Sequence, residues 1–179
     1  MKRKMKLIII NGPCGIGKST AAKNVQDLLP LSFLVDIDAQ RRSIGRYREC
    51  REESRVLSYA VTFGIVEACL KEGRDVIVEK MINDESVLDA LRAIGEKYGA
   101  EVYEFILWMP KDLVLKRAFD RGYSAGNSLT PQKTEAFWDA IDTLKNNRPQ
   151  AKVIDVSRLD EEQVLKEIIH NMTLCTHIN

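Results

Sequence analysis

Each thing this sequence lacks removes a class of function. Its four cysteines, Cys14, Cys50, Cys69 and Cys175, include no C-x-x-C pair and follow no metal-ligand spacing. That sets aside a disulfide scaffold and a zinc module and leaves free thiols, as expected in a reducing cytoplasm. Charge of one sign is missing too: 27 Lys and Arg face 26 Asp and Glu, a formal net charge of +1. No global field therefore draws the chain to nucleic acid or to a membrane surface. No apolar run is long enough for a membrane span or a signal-peptide core, so the basic start Met1-Lys2-Arg3-Lys4-Met5-Lys6 reads as a solvated flank of the first strand. Repeats, low-complexity tracts and linker-like stretches are absent, and neither His170 nor His177 carries a partner signal. The remaining composition, 45% apolar and 30% charged over 179 residues, is that of one ordinary globular domain spanning 1–179.

What is present is alternation. Short apolar runs at 6–11, 33–37, 75–81, 102–109 and 153–156 read as strands, and amphipathic segments at 18–29, 54–72, 85–98, 111–121, 131–146 and 160–173 read as helices. Gly73 and Gly99 stand where helices should stop, and Thr130-Pro131 resembles a helix start with proline in the first turn. Strands that alternate with helices imply an α/β protein whose parallel sheet is covered on both faces. The stretch 122–128 is small, polar and glycine-rich, the composition of a mobile connection.

Between the first strand and the first helix lies Gly12-Pro13-Cys14-Gly15-Ile16-Gly17-Lys18-Ser19, which fits the phosphate-loop pattern G-x-x-x-x-G-K-[ST] in the context the pattern requires. Backbone N–H groups from Gly12 to Thr20 can curl around a triphosphate, with the following helix aiming its positive end at the same anion. Lys18 adds a full charge near the β and γ phosphates, and Ser19 offers a hydroxyl oxygen to Mg²⁺. Cys14 occupies a free position of the motif and reads as a small residue tolerated there.

Ligands of open parallel sheets gather at the carboxyl ends of the strands, so the polar residues that end the other apolar runs carry the next weight. If the second strand continues through Ile37, Asp36 and Asp38 point the same way and place two carboxylates beside the phosphates; otherwise they cap a helix or start a turn. Glu79 ends the third strand where an acid could reach Mg²⁺ through water or orient the acceptor, unless it is an exposed acid paired with Lys80. Arg117 and Arg121 share one helical face and suit the charge of a transferring phosphoryl group; Arg148 is a lesser candidate. Trp108, Phe137 and Trp138, at strand and helix spacing, read as core.

In these motifs and their order the chain resembles the small P-loop phosphotransferases: shikimate and gluconate kinases, chloramphenicol phosphotransferase and zeta-toxin-like kinases. The resemblance rests on Gly12–Ser19, Asp36-Ile37-Asp38, the strand ending at Glu79, Arg117-x-x-x-Arg121, and Val153-Ile154-Asp155-Val156-Ser157 with its helix. It implies a three-layer P-loop NTPase fold of strand order 2-3-1-4-5, with ATP over the loop and a lid at about 117–146. Asp38 would then be the base, Asp36 the acid on the magnesium side with Ser19 and Glu79, and Asp38, Glu79 and Arg42, with Arg41, would meet the acceptor. Glu79-Lys80-Met81 departs from the segments that shikimate and nucleoside monophosphate kinases carry there. The expected activity is transfer of the γ-phosphoryl group of Mg-ATP to a hydroxyl of a small molecule, in the cytoplasm, by a monomer or small homo-oligomer, without nucleic-acid or membrane partners. A nucleotide-gated regulatory module, or a kinase of nucleic-acid ends, is the alternative.

Overall fold

In a computed structural model, residues 3–120 and 130–174 are described. Five strands, β1 (Lys6–Asn11), β2 (Phe33–Asp36), β3 (Val76–Glu79), β4 (Glu101–Trp108) and β5 (Lys152–Asp155), form one sheet. All of its pairings are parallel and the order is β2-β3-β1-β4-β5, as the resemblance implies. Seven helices connect and cover it: α1 (Lys18–Leu28), α2 (Ile37–Arg42), α3 (Arg51–Lys71), α4 (Glu85–Lys97), α5 (Lys111–Asp120), α6 (Pro131–Asn147) and α7 (Glu161–Leu174). Arg121, the 122–128 connection, Cys175 and His177 lie outside the described residues.

The continuous apolar run of β1 has its cause in this placement. As the central strand it is covered on both sides, and Leu7, Ile8, Ile9 and Ile10 are all fully buried. Leu7 and Ile9 pack with Val35, Val78, Val66, Leu88 and Ile141 under α3, α4 and α6. Ile8 and Ile10 face the other way, among Ala22, Val25, Ile77, Phe105, Ile154 and Ile168 under α1 and α7. Strand periodicity of two thus divides one sequence run between two cores.

The main departure from expectation lies after β2. The strand stops at Asp36, and six residues form α2, too few to show a helical period. Asp36 Oδ1 accepts the Ala39 N–H at 2.9 Å as the N-cap, while Ile37 is fully buried in the α3-side core. Arg41 then ties the short helix to α3, its Nε donating to Ser54 Oγ at 3.0 Å and its Nη2 to the Arg51 carbonyl at 2.6 Å. Elsewhere the differences are of boundary: α3 begins at Arg51 rather than Ser54, and β3 spans only Val76–Glu79.

Candidate active site

At the carboxyl edge of the sheet, β1 passes through the Gly-rich loop into α1. Gly12, at φ 146°, runs so close to β4 that a Cβ there would lie 2.5 Å from the Leu107 carbonyl oxygen. Gly17 occupies the α1 N-cap in the left-handed region, φ 103°, where no side chain caps the helix and no acid stands in its first turn. By contrast α2, α4 and α6 are capped by Asp36, Asp84 and Thr130. The positive end of α1 is thereby left open to an outside anion. Ile16 is buried within the α1-side core and anchors the loop from below.

The loop is also fixed from a direction the sequence reading missed. Asn11 is fully buried and its amide makes three bonds: Oδ1 accepts the Gly12 and Ile82 N–H groups at 2.8 and 2.9 Å, and Nδ2 donates to the Ile82 carbonyl at 2.7 Å. This locks the start of the phosphate loop to the segment that follows β3. The available signal was a lone amide closing the run Leu7-Ile8-Ile9-Ile10, since a buried amide must find partners.

Lys18 is almost wholly buried, and its Nζ donates to the Pro13 carbonyl at 2.9 Å. Burial pulls its pKa down, against the attraction of Cys14, Glu79 and Asp38. Ser19 Oγ donates to Glu79 Oε1 at 2.9 Å, from the first turn of α1 to the end of β3. Glu79 is buried, which pushes its carboxyl pKa up, opposed by the Lys18 charge and the Ser19 hydroxyl. Its partner is therefore Ser19 and not Lys80, which pairs with Asp38 instead. Cys14 lies half-buried with its Sγ 4.0 Å from Met81 Sδ, and burial pushes its thiol pKa up, away from the reactive thiolate.

Asp36 and Asp38 are not the two like-facing carboxylates of a continuing strand. Asp36 caps α2 and also meets Arg42 at 3.4 Å; Asp38 lies in the first turn of α2 and reaches across to Lys80, just after β3. Both still stand beside Glu79, whose backbone is in register with Asp36 and whose carboxyl feels the charge of both acids. Arg117 lines a cavity of about 270 Å³ beside the loop, with Ile16, Thr20, Asn24, Val156 and Leu159. It stands on the β4–β5 side of the site and not beside Asp38. Arg148 is elsewhere, bound by Glu104 and Asp89. Trp108 and Trp138 hold α6 to the end of β4, donating to Asp142 Oδ1 at 2.9 Å and to the Met109 carbonyl at 2.8 Å.

A second, wider groove of about 740 Å³ opens between the first turns of α3 and α4, lined by Glu52, Arg55, Asn83, Asp84, Glu85 and Ser86. Because α3 runs back toward the start of β3, its first turn lies at the same sheet edge as the phosphate loop, on the β2–β3 side. The two openings thus lie at one edge of the sheet, the first beside Gly17 and Thr20 and the second beside the segment after β3, and Lys18, Asp38 and Glu79 line neither.

The donor set fits magnesium and a nucleotide. Ser19 and Glu79 supply hard oxygens, and among the described residues no three His, Cys, Asp or Glu side chains gather into a cage. That suits a cation which takes most of its ligands from water and phosphate. No described helix is long and apolar enough to cross a membrane.

A protein-family profile described as an AAA domain matches residues 7–145. No curated protein matches the sequence closely enough to count as a relative. Among solved structures, the chain is similar to a gluconokinase from Sinorhizobium meliloti, with TM-score 0.71, 15% identity, and 98% of this chain and 100% of that one covered. A sugar kinase from a Janibacter species gives TM-score 0.67 at 20% identity, covering 96% of this chain and 95% of that one. The tunicamycin resistance protein of Deinococcus radiodurans gives 0.65 at 20% identity, covering 94% and 96%. At these identities the likeness is one of fold: the three-layer P-loop NTPase fold of small kinases.

Proposed function

The chain belongs to the AAA-domain family, and from that premise we propose that it is an ATP-dependent phosphotransferase that moves the γ-phosphoryl group of Mg-ATP to an alcohol of a small molecule. The observation that carries this reading is the pair of openings at the sheet edge that also carries Lys18 and Glu79, one on the β4–β5 side and one on the β2–β3 side. A module that only binds or hydrolyses nucleotide needs the first; an acceptor needs the second.

In this reading the cavity at Arg117 takes the base, with the guanidinium lying against its face, which moves Arg117 from the phosphates to the nucleoside. Arg121 keeps its proposed role at the phosphates, whereas α6, within the expected lid of 117–146, is packed into the core through Ile141 and Leu144 and is not part of a closing segment. The N–H groups of Gly12–Thr20 and the Lys18 ammonium hold the phosphate tail and meet the charge that develops on it. Magnesium, when bound, spreads the charge of the β and γ phosphates. Ser19 and Glu79 hold it, and Asp36, bound into the α2 cap, supports that acid from the neighbouring strand. Asp38 takes the proton of the acceptor hydroxyl at its second carboxylate oxygen, the first being held by Lys80. As the new oxygen–phosphorus bond forms, the bond from the γ phosphorus to the bridging oxygen breaks and ADP leaves. Arg42 stands at the acceptor side of Asp36.

Incubation with γ-labelled ATP and a pool of metabolites tests the assignment. Label should appear in an acid-stable ester, and Asp38→Asn should lower that transfer about 10²–10³-fold while leaving nucleotide affinity unchanged. Release of free phosphate alone, from every pool offered, would reject an acceptor and leave a nucleotide hydrolase.

A further inference from the structure

The segment 41–51, from the end of α2 to the start of α3, holds five arginines and one glutamate in a chain whose formal total is +1. Local concentration hidden in a balanced total is the signal here, and the structure shows what becomes of each charge. Arg42 pairs with Asp36, and Arg46 donates its Nε to Glu49 Oε2 at 2.9 Å; beyond the segment, Arg55 likewise holds Glu52. The other three are answered without any carboxylate. Arg41 donates to Ser54 Oγ and to the Arg51 carbonyl. Arg51 donates its Nε to the Arg48 carbonyl at 3.3 Å. Arg48 donates to Tyr47 Oη at 3.1 Å, its guanidinium 5.7 Å from the centre of that ring.

These contacts fix each guanidinium separately: that of Arg41 on the backbone of Arg51, that of Arg51 on the backbone of Arg48, and that of Arg48 beside the Tyr47 ring. A carbonyl or phenol orients a guanidinium without cancelling its charge, and most of its five donors stay open. Arg48 and Arg51 are exposed, so those donors face solvent. Three guanidinium groups within eleven residues, none in an ion pair with a carboxylate of the described residues, offer donors to an anion, and the planar fork of arginine suits phosphate oxygens best. The position adds to this. The segment lies at the carboxyl edge of the sheet and connects α2, which carries Asp38, to α3, whose first turn lines the wider groove. Inside that groove the Arg55 charge is already met by Glu52 and Asp84, and Glu85 adds a further negative charge, so a phosphate on the acceptor is met outside the groove, at the arginine segment.

We propose that Arg41, Arg48 and Arg51 bind a phosphate group carried by the acceptor, so that the alcohol phosphorylated belongs to an already phosphorylated molecule. The anion site stands on its own; its use for the acceptor rests on the phosphotransferase reading above. A small phosphate ester and the end of a polynucleotide share this chemistry, and the test separates them.

Two measurements decide. In the first, arginines of the intact chain saturated with Mg-ADP are modified with phenylglyoxal and mapped by mass spectrometry, with and without millimolar inorganic phosphate at constant ionic strength. Phosphate should protect Arg48 and Arg51 several-fold and leave the exposed Arg74, ahead of β3, unprotected. Equal protection at all three, or none, overturns the site. In the second, γ-labelled ATP is offered to a cell extract before and after treatment with phosphatase or with nuclease, each then removed. Loss of labelled product after phosphatase alone supports a small phosphate ester, and loss after nuclease supports a polynucleotide end; transfer unchanged by both overturns the proposal. The Arg48→Gln/Arg51→Gln variant, which leaves the Arg41 tie to α3 in place, should raise KM for the labelled acceptor about tenfold with a smaller change in kcat. An unaltered KM would likewise overturn it. Protection in the first measurement with no transfer to any untreated extract would leave the anion site standing and reject the phosphotransferase reading instead.

Discussion

Two buried cations in this molecule are treated in opposite ways. Arg148, at the end of α6, is 2% exposed and surrounded by acids: its Nε and Nη2 meet the two oxygens of Glu104 at 2.7 and 3.0 Å, and its Nη1 meets Asp89 at 2.9 Å. Lys18 is 9% exposed and has one neutral partner, the Pro13 carbonyl. Their pKa values move accordingly, that of Arg148 up through its bonds to Glu104 and that of Lys18 down through burial. A cation that the fold neutralises holds the fold, here α4, β4 and α6. A cation buried without an acid of its own is held for a negative charge that arrives from outside. The arginines at 41, 48 and 51 follow the second pattern at the surface, where water softens the cost of leaving them unpaired.

The comparison breaks if the two residues respond alike to removal. Lys18→Ala should lower phosphoryl transfer about 10³-fold or more while leaving the stability of the nucleotide-free chain unchanged or slightly raised, since it deletes a desolvated charge that makes no ion pair and that Glu79 and Asp38 attract less strongly than burial opposes it. Denaturant midpoints and label transfer read the two effects separately, and a Lys18→Ala chain markedly less stable than its parent would contradict the assignment. Arg148→Met should do the reverse. It leaves Glu104, 3% exposed, with only the Arg92 guanidinium at 3.4 Å, which costs about 3–5 kcal/mol. Adding Glu104→Met should restore much of that loss, because two apolar side chains replace a pair that was expensive to desolvate. A double variant no more stable than the single one would show that Asp89 and Arg92, and not the Glu104 pair, dominate the cluster.

Reading the sequence located the sheet, its five strands and the phosphate loop because each leaves a local trace: an apolar run, a glycine spacing, a helix stop. Strand order came only from resemblance, since no run of residues states which strand lies beside it. The miss at Asp36–Arg42 has the same root. A cap followed by six helical residues looks like the tail of a strand until Ile37 is seen buried and Arg41 is seen reaching Ser54. Asn11 escaped because two of its three bonds go to Ile82, 71 residues away. Arg148 was suspected as a site residue because its acids, on β4 and α4, come together only in the folded chain. Of the arginines of 41–51, Arg41 and Arg42 stand out in the sequence beside the Asp pair while Arg46, Arg48 and Arg51 do not, and only the contacts show which of the five have carboxylates.

The smallest expected effect sharpens the comparison most directly, because it follows the Lys18 charge itself. Burial sets the amine's pKa below the usual lysine range, so the free folded chain loses stability as pH falls through that lowered value and the amine takes up charge where water cannot reach it. A phosphate tail beside Nζ compensates the charge and draws the pKa back up. Binding of Mg-ADP should therefore take up protons between the lowered value and the usual lysine range. Glu79 works with the opposite sign: its raised carboxyl must ionise to hold the cation with Ser19, so binding should release protons between the usual carboxylate range and its raised value. Calorimetry in buffers of different ionisation enthalpy measures both. Lys18→Met should abolish only the alkaline uptake and Glu79→Gln only the acid release, while Arg148, paired by the fold, should contribute to neither. Alkaline uptake that survives Lys18→Met would mean that the buried amine is not the group the nucleotide meets.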